Sequence, residues 1–436
     1  MSCNFTFAKN KMSQNGLRIL IVNAHSQANA GDHAIVLGQL QLLEKIMPNA
    51  RVTITSRTAW LDRRTLAFRG VRVIDPVFHA PCASKGKWMP IVKTLLSLAL
   101  PLPAWIFLRH LRQADLVMAC GGGYFYSNRS FPGFTFWQNY LHLRLAVLFK
   151  KKIVFFPQSF GPFANPWSRR LLAGLIKSDR VRTIFAREPI SLSILGDLLP
   201  AAEQKGKLRF CPDMAFYYSP GPIAAPAGIS SQPRPRLALA LRDWDFPAQK
   251  NRSVKKKKWE DYIAGVLAVC RTLYQKQGAS FFIFSQAQGP SGAEDDRRLS
   301  GYVHARLRES IPSSHLCFFK TPVGAAPDTF IQLLRQADML ITSRLHAAIF
   351  AILAGTPVVV IGYQHKSRGV LQTLGLESCF LSIEEMQGES LFRLCAAVLQ
   401  DQDEWRKKIL CPLSEMRETI ETEFKSVFLN CKMRVR

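Results

Sequence analysis

The sequence contains few acidic residues for its length. It has 31 aspartates and glutamates against 58 lysines and arginines, a formal net charge of +27 over 436 residues. Such an excess favours polyanionic partners, namely nucleic acid, an anionic membrane surface, or phosphorylated and acidic substrates. The sequence has no RNA-binding signature, zinc finger or basic zipper, and its densest basic run, residues 250–258, is typical of a solvated loop. We therefore expect no nucleic-acid partner and keep an anionic membrane surface as a candidate.

Paired cysteines are also missing. The ten cysteines are scattered singly and none forms a CxxC pair, so the sequence offers no cysteine-based metal or redox motif. Isolated cysteines in a long chain are typical of a reducing compartment. Residues 1–15 are polar and lack the apolar core of a secretory signal. We expect a cytoplasmic protein without a metal site.

No apolar run is clearly long enough to span a membrane. Residues 91–108 come closest, but Lys93, Pro101 and Pro103 interrupt them, and a span needs about 20 apolar residues. A buried helix followed by a loop is the preferred interpretation. Because basic residues flank the run on both sides, peripheral contact with the inner face of an anionic membrane is the main alternative. A spanning helix ranks third.

Several nucleotide and hydrolase motifs are absent. The sequence lacks GxGxxG, the Walker motif, the GxSxG elbow and HExxH. These absences argue against a nicotinamide Rossmann site, a P-loop, an α/β-hydrolase and a zinc peptidase. We expect no resident cofactor.

The sequence does contain two series of apolar strands that alternate with helical patterns, which predicts α/β domains with parallel sheets. A stretch rich in proline and glycine separates the two series. We predict two Rossmann-like domains that face a cleft. The predicted parts are an N-terminal domain (1–220), a linker (221–235), a C-terminal domain (236–413) and a terminal helix (414–436) that packs back on the N-terminal domain. The predicted strands are residues 17–22, 52–55, 71–74, 115–119, 153–156, 184–185, 237–241, 281–284, 339–342 and 358–361.

A short internal match relates the two halves. Residues 111–115 and 334–338 both read Leu-Arg-Gln-Ala-Asp, and each leads into an apolar strand. The first strand ends at Gly121, and the second ends at Arg344. Because α/β sheets bind ligands at the carboxyl ends of their strands, we expect these two strand ends to face each other across the cleft.

The segment after the second of these strands is the most informative. Residues 339–342 predict a buried strand, Ser343 an N-cap, and Gly355 the end of a helix. Arg344 and His346 then lie in the first turn of that helix. Because the first turn already attracts anions, an arginine there indicates a strongly anionic ligand. The alternative is a surface arginine and a packed histidine.

Other polar or glycine residues follow predicted strands. Asp32 either caps a helix or binds a substrate hydroxyl. Gly121, Gly122 and Gly123 form either a tight turn or a loop whose amides wrap an anion. The aromatic residues that follow the glycines suit a sugar site and core packing equally well.

Polar residues also end the remaining strands. Gln158 and Ser159 are candidates to bind hydroxyls, and Asp213 and Arg242 follow further strands. The acidic trio at residues 294–296 could bind a cation, but an exposed helix start is the preferred interpretation.

These segments, taken in order, resemble the polysaccharide pyruvyl transferase family. Single motifs are unspecific, but the ordered set is not, and RLH with GTP a short helix later is its strongest part. The matching pieces are residues 29–32 (NAGD), 121–123 (GGG), 157–162 (PQSFGP), 186–188 (ARE), 212–213 (PD), 285–286 (SQ), 294–296 (EDD), 344–346 (RLH) and 355–357 (GTP).

The resemblance implies a glycosyltransferase-B-like fold and a defined reaction. Family members use phosphoenolpyruvate to place a pyruvate ketal across two hydroxyls of a sugar in a cell-surface polysaccharide or its lipid-linked precursor. Phosphoenolpyruvate is then a co-substrate rather than a cofactor. Arg344 and His346 correspond to the donor-site arginine and histidine of the family, and Arg242 matches a second donor-site arginine.

The chemistry of these residues suggests individual roles. His346 suits a general acid or base, with His365 as a competitor for that role. Arg344, Arg242 and Lys366 suit donor binding. On the acceptor side we expect Asp32 or Asp213 to orient or deprotonate a hydroxyl, together with Gly121, Gly122, Gly123, Gln158 and Ser159.

Two other functions compete with this one. The first is a glycosyltransferase of the same fold that uses a nucleotide sugar. The second is a non-catalytic protein that binds polyanions or membrane.

Overall fold

The computed structural model describes residues 16–66, 69–78, 95, 101–127, 131–222, 229–246, 249–363 and 365–430. The predictions for residues 1–15, for most of residues 91–100 and for part of the linker lie outside these ranges. The described residues form two α/β domains, each built on a parallel sheet. The predicted fold class is therefore confirmed.

The N-terminal domain contains eight described strands. They are β1 (Arg18–Ala24), β2 (Arg51–Ser56), β3 (Arg72–Ile74), β4 (Leu116–Ala119), β5 (Gly122–Ser127), β6 (Lys152–Phe163), β7 (Val181–Ala186) and β8 (Leu208–Phe210). Their order is β3-β2-β1-β4-β6-β7-β8, and β5 pairs with the second half of β6. The described helices are α1 (Ala30–Ile46), α2 (Ala59–Leu66), α3 (Pro101–Gln113), α4 (Phe134–Leu148), α5 (Pro166–Ile176), α6 (Pro189–Gly196) and α7 (Ala201–Lys207).

The C-terminal domain contains six described strands in the order β11-β10-β9-β12-β13-β14. They are β9 (Arg236–Ala240), β10 (Ser280–Phe284), β11 (Leu316–Phe319), β12 (Met339–Thr342), β13 (Val358–Gly362) and β14 (Phe380–Ser382). The described helices are α8 (Arg252–Gln277), α9 (Arg297–Leu307), α10 (Pro327–Leu334), α11 (Leu345–Ala354), α12 (His365–Thr373), α13 (Gly388–Gln400) and α14 (Gln402–Asn430).

The central strands are apolar on both faces because helices cover both sides of each sheet. In β1, Ile19 and Ile21 pack into one core, whereas Leu20 and Val22 pack into the core on the opposite face. The first of these cores continues through α1 and α11 into the C-terminal domain. The two sheets are therefore joined by a shared apolar layer.

Backbone hydrogen bonds also join the two domains beside the cleft. The amide of Gln288 donates to the carbonyl of Ala28 (2.8 Å), and the amide of Ala30 donates to the carbonyl of Gln286 (3.2 Å). The Asn29 side chain accepts from the amide of Gly31 and from the Gln286 side chain. This contact holds the start of α1 against the end of β10.

The terminal helix α14 begins at Gln402 rather than at residue 414, and it continues through Pro412. It packs on the N-terminal sheet, where the ring of Phe424 lies 5.1 Å from that of Phe156 and 4.6 Å from that of Phe185. The helix thus leaves the C-terminal domain and covers the N-terminal one.

Several local predictions are wrong. The basic run at residues 250–258 is largely the start of α8, capped by Asn251, and not a loop. The segment after β4 is not a free glycine loop, because Gly122 begins strand β5. Strands β5, β8, β11 and β14 were not predicted; three of them have four residues or fewer.

The described part of the apolar run at residues 91–108 belongs mainly to α3. Phe107 and Leu111 on this helix are buried in the N-terminal core. No helix in the described ranges combines the length and the apolar character that crossing a bilayer requires.

Candidate active site

The carboxyl ends of the two sheets enclose a cavity of about 160 Å³. Both domains contribute to its wall, as expected for a cleft between Rossmann-like domains. The wall is rich in cations, with only two carboxylates. The lining residues are His25, Asn29, Asp32, Arg57, Gly122, Gly123, Tyr124, Tyr126, Thr135, Arg187, Arg242, Gln286, Glu294, Arg344, Leu345, His346, Tyr363, Lys366 and Ser367.

The Arg344 turn joins β12 to α11. Arg344 itself has an extended backbone and occupies the N-cap position, so the prediction of Ser343 as N-cap is wrong. The Ser343 hydroxyl instead accepts hydrogen bonds from the Arg242 amide (2.7 Å) and from the Tyr262 hydroxyl (3.0 Å). These bonds tie the end of β9 to the end of β12 and hold Arg242 beside Arg344.

Arg344 forms a two-pronged ion pair with Asp296. Its Nε lies 2.9 Å from Asp296 Oδ2, and Nη2 donates to Oδ1. Burial raises the pKa of Asp296, and the attraction of Arg344 only partly offsets this. Because Asp296 and Glu294 both contact residues of the cleft, the prediction of an exposed acidic helix start is wrong. Asp295 instead pairs with Arg297, the first residue of α9.

His346 projects from the first turn of α11 towards the start of α1. A Cβ on Gly31 would overlap its ring, so only glycine leaves room for the imidazole there. The Nε2 atom lies 3.8 Å from Asp213 Oδ2 and has no hydrogen-bond partner among the described residues. This buried nitrogen therefore keeps an unsatisfied hydrogen-bonding position.

A buried network supports Arg187 on the N-terminal side. The guanidinium is 3% exposed, donates from Nε to Ser159 (2.7 Å), and forms an ion pair with Asp213. Ser159 in turn donates to Glu188 (2.9 Å). Burial favours the neutral acid, but the adjacent Arg187 and the His346 ring hold the pKa of Asp213 well below its usual range.

The structure therefore changes the predicted roles of several acceptor-side residues. Asp213 and Ser159 lie behind the cavity wall, where they position Arg187. Gln158 is fully buried and donates to the carbonyl of Cys120 (2.6 Å). Gly121 also lies outside the lining. A Cβ on this residue would meet Gln39 and the carbonyl of residue 157, so the glycine is packed against the protein interior.

Gly122 and Gly123 do line the cavity. Gly122 has a φ of 130°, which favours glycine. A Cβ on Gly123 would lie 2.8 Å from Lys366 Nζ and 3.5 Å from Arg187 Nη2. The glycines therefore make room for two cations rather than wrapping an anion by themselves.

Lys366 enters the cavity from α12, and its Nζ lies 5.3 Å from the centre of the Tyr126 ring. Burial, together with repulsion from Arg187 and Arg242, lowers the pKa of this lysine to about 7. Lys366 can therefore gain or lose a proton near neutral pH. The side chain of its predicted competitor, His365, lies outside the described part of the chain.

Arg242 lies against the aromatic rings of Tyr363 and Trp244. Its Nη1 donates to the Tyr363 hydroxyl (2.6 Å), and its guanidinium carbon is 4.9 Å from the centre of that ring. The buried Nε has no hydrogen-bond partner among the described residues. An anion in the cavity would supply that partner.

Asp32 lies in the first turn of α1, but Asn29 is the N-cap. The Tyr124 hydroxyl is 3.5 Å from Asp32 Oδ1, and Oδ2 is buried without a hydrogen-bond partner among the described residues. The interpretation of Asp32 as a simple cap is wrong. Its carboxylate is open to a hydroxyl donor.

The prediction missed four ionisable lining residues: His25, Arg57, Arg187 and Glu294. For the first three the signal was present, because they directly follow β1, β2 and β7. The described residues contain no cluster of histidine, cysteine and acidic side chains that could hold a metal ion.

Comparison with solved structures shows the same two-domain architecture. HepE from Anabaena, in complex with UDP and glucose, superposes with a TM-score of 0.56 at 11% identity and covers 95% of this chain and 100% of its own. A UDP-GlcNAc 2-epimerase from Neisseria meningitidis gives 0.55 at 13% identity, over 94% and 100% of the two chains. These similarities establish the glycosyltransferase-B-like fold alone.

Sequence comparison is more specific. The amylovoran biosynthesis protein AmsJ of Erwinia amylovora is 24% identical over 439 aligned positions, which cover 92% of this chain and 96% of AmsJ. The model of the polysaccharide pyruvyl transferase family matches residues 29–365, a range that contains most of the cavity-lining residues. The chain therefore belongs to the polysaccharide pyruvyl transferase family.

Proposed function

We propose that the protein transfers pyruvate from phosphoenolpyruvate to two hydroxyls of a sugar, in a cell-surface polysaccharide or its lipid-linked precursor, as a ketal. One observation carries this proposal. Arg187, Arg242, Arg344 and Lys366 converge on one small cavity beside an imidazole nitrogen without a partner. Phosphoenolpyruvate has two anionic groups, and guanidinium and ammonium groups bind both.

The four cations differ in how many of their hydrogen-bond donors are already paired with protein groups. Arg344 already makes two bonds to Asp296, and Arg187 is paired with Asp213. Arg242 keeps an unpartnered Nε, and Lys366 has no carboxylate within ion-pair distance among the described residues. We therefore assign donor contact primarily to Arg242 and Lys366, while Arg344 and Arg187 add charge from fixed positions.

The reaction removes a proton from each of two sugar hydroxyls, delivers one proton to carbon and delivers the other to phosphate. In the first addition a sugar oxygen bonds to C2 of the donor, the C2–C3 double bond opens, and C3 takes up a proton. In the second addition the other sugar oxygen bonds to C2, and the bond from C2 to the phosphate oxygen breaks. Of the two hydroxyl protons, one offsets that gained at C3, and the other leaves with phosphate.

His346 is the proposed general acid for C3. Its side chain lines the cavity, and its unpartnered Nε2 lies 3.8 Å from Asp213 Oδ2. Lys366, whose pKa of about 7 lets it exchange a proton, is the second group able to serve the leaving phosphate. Asp32 is the proposed contact for one acceptor hydroxyl.

The size of the cavity favours a small donor over a nucleotide sugar. Drug-sized ligands occupy clefts of about 300–1,000 Å³, and the space between the domains is about 160 Å³. A glycosyltransferase that uses a nucleotide sugar would need a larger opening between the domains. This function is the alternative outcome of the test below.

The cellular location of the reaction is also a proposal. We place the protein in the cytoplasm, peripheral to the inner face of the membrane, where a lipid-linked acceptor would be presented. The net charge of +27 supports attraction to an anionic surface. The aromatic Trp105, which is exposed on α3 beside Arg109, supports contact at such a surface.

A thermal-shift comparison of donors tests the proposed function. Phosphoenolpyruvate should raise the melting temperature, since a ligand bound at about 100 times its Kd stabilises by roughly 2.7 kcal/mol. UDP-sugars and GDP-sugars should produce no comparable shift. Stabilisation by a nucleotide sugar, without any by phosphoenolpyruvate, would replace this proposal with the glycosyltransferase.

A further inference from the structure

The cavity contains a second cluster of ionisable residues, apart from those to which donor contact is assigned above. His25 and Arg57 come from the N-terminal domain, and Glu294 comes from the C-terminal domain. Glu294 Oε1 lies 2.7 Å from His25 Nε2, and Arg57 Nη1 lies 3.3 Å from His25 Nδ1 and 3.9 Å from Glu294 Oε2. The cluster bridges the two domains at the rim of the site.

Both ring nitrogens of His25 are engaged. Nε2 faces Glu294 Oε1 at 2.7 Å, and Nδ1 faces Arg57 Nη1 at 3.3 Å. His25 has no ring nitrogen left for a substrate in this arrangement, so its role is to orient the carboxylate.

Glu294 is held in its ionised form. Burial raises the pKa of the carboxyl, but His25, Arg57 and a hydrogen bond from Ser291 more than offset this, and the pKa lies below its ordinary value. The side chain is 24% exposed and lines the cavity. It is therefore an accessible carboxylate with free lone pairs, held by partners from both domains.

Charge decides whether the donor or the sugar acceptor lies next to the Glu294 carboxylate. An anionic donor is repelled by Glu294 and attracted by the cations around Arg242 and Lys366. A sugar hydroxyl is neutral and donates readily to a carboxylate. The described cavity wall has two carboxylates, Asp32 and Glu294, and a ketal requires two hydroxyls to lose their protons.

We propose that Glu294 is a catalytic residue that contacts one hydroxyl of the acceptor, with His25 and Arg57 as positioning residues. This inference rests on the proposed function. As the sugar oxygen bonds to C2 of the donor, its O–H bond breaks and the proton passes to Glu294. The protonated carboxyl then returns this proton to the departing phosphate or to water.

Glu294→Gln tests this step because it keeps the size and the carbonyl oxygen that accepts from His25 but cannot take up a proton. The rate of ketal formation should fall by about 100-fold or more. The melting-temperature shift produced by phosphoenolpyruvate should remain. Asp295→Asn is the matched control, since that carboxylate pairs with Arg297 outside the cavity lining, and its rate should match the wild type.

Chemical rescue separates a proton acceptor from a mere domain contact. Glu294→Ala should lose activity, and added formate should restore part of it by supplying a small carboxylate. A Glu294→Gln rate within about twofold of the wild type would overturn the inference. So would a Glu294→Ala variant that still binds phosphoenolpyruvate but does not respond to formate. Absence of ketal from the wild-type protein would instead overturn the proposed function itself.

Discussion

Strands β4 and β12 begin in the same way and end differently. Each follows the sequence Leu-Arg-Gln-Ala-Asp and pairs with the first strand of its domain. Asp115 accepts from the amide of Arg18 (2.9 Å), and Asp338 accepts from the amide of Arg236 (2.8 Å). The repeated aspartate therefore ties its strand to the start of the neighbouring one in both halves.

The two ends have complementary tasks. After β12 the chain supplies charge, with Arg344 at the N-cap of α11 and His346 in the first turn of that helix. After β4 it supplies space, because Gly122 leaves room for Tyr124 and Gly123 leaves room for Lys366 and Arg187. A compact anion site thus needs charged side chains from one half of the protein and glycines, which have no side chain, from the other.

Removing the imidazole from the charged end should have the largest effect. His346→Gln should lower kcat by about 10²- to 10⁴-fold, the usual range for a general acid or base. Steady-state phosphate release with a sugar acceptor measures it. His304→Gln, on a helix face outside the cavity lining, is the control. Equal rates for the two variants would remove His346 from the chemistry.

The pH dependence of donor binding tests Lys366. Burial lowers the pKa of this lysine from 10.5 to about 7, and a bound anion should raise it again. Binding then takes up a proton above pH 7, so the affinity should weaken as pH rises, by up to about tenfold per unit. The phosphate of the donor, with a second pKa of about 6, is already ionised over this range.

Isothermal titration calorimetry between pH 7 and 9 measures how the donor affinity depends on pH. Lys366→Arg should flatten it, because a guanidinium stays charged, whereas Lys320→Arg at the surface should leave it unchanged. An equally steep dependence in Lys366→Arg would assign the proton to another group.

Filling the space at the glycine end should have the smallest effect. Gly123→Ala would place a Cβ 2.8 Å from Lys366 Nζ, and the flexible lysine can move aside. Donor affinity should fall by about tenfold, in line with an overpacking cost of roughly 1–3 kcal/mol. Gly133→Ala meets nothing within 4 Å and should bind normally. If Gly123→Ala also binds normally, the glycines do not shape the donor site.

Much of the fold could be predicted from local patterns. Buried strands such as β4 and β12 are apolar runs, and a polar or glycine residue follows shortly after each of them. Strand β5 could not be predicted in this way, since it begins at Gly122 and depends on pairing with the distant β6. The basic start of α8 was missed because lysine is equally common in loops and on exposed helical turns.

The candidate site was predictable mainly where a residue ends a strand or opens the next helix. Arg344, His346 and Arg242 meet that condition, and all three line the cavity. His25 directly follows β1 and was still missed, whereas the role of Glu294 depends on its contact with the other domain. Asp213 and Ser159 were predicted as well, yet both lie behind Arg187.

One reaction tests the central claim, that the two strand ends together form a site for phosphoenolpyruvate. The protein is incubated with phosphoenolpyruvate and a panel of lipid-linked and nitrophenyl sugars, and the released phosphate and the product masses are measured together. The proposed function predicts phosphate and a pyruvate-bearing sugar in equal amounts. Phosphate without a modified sugar, or a product formed only from a nucleotide sugar, would contradict it.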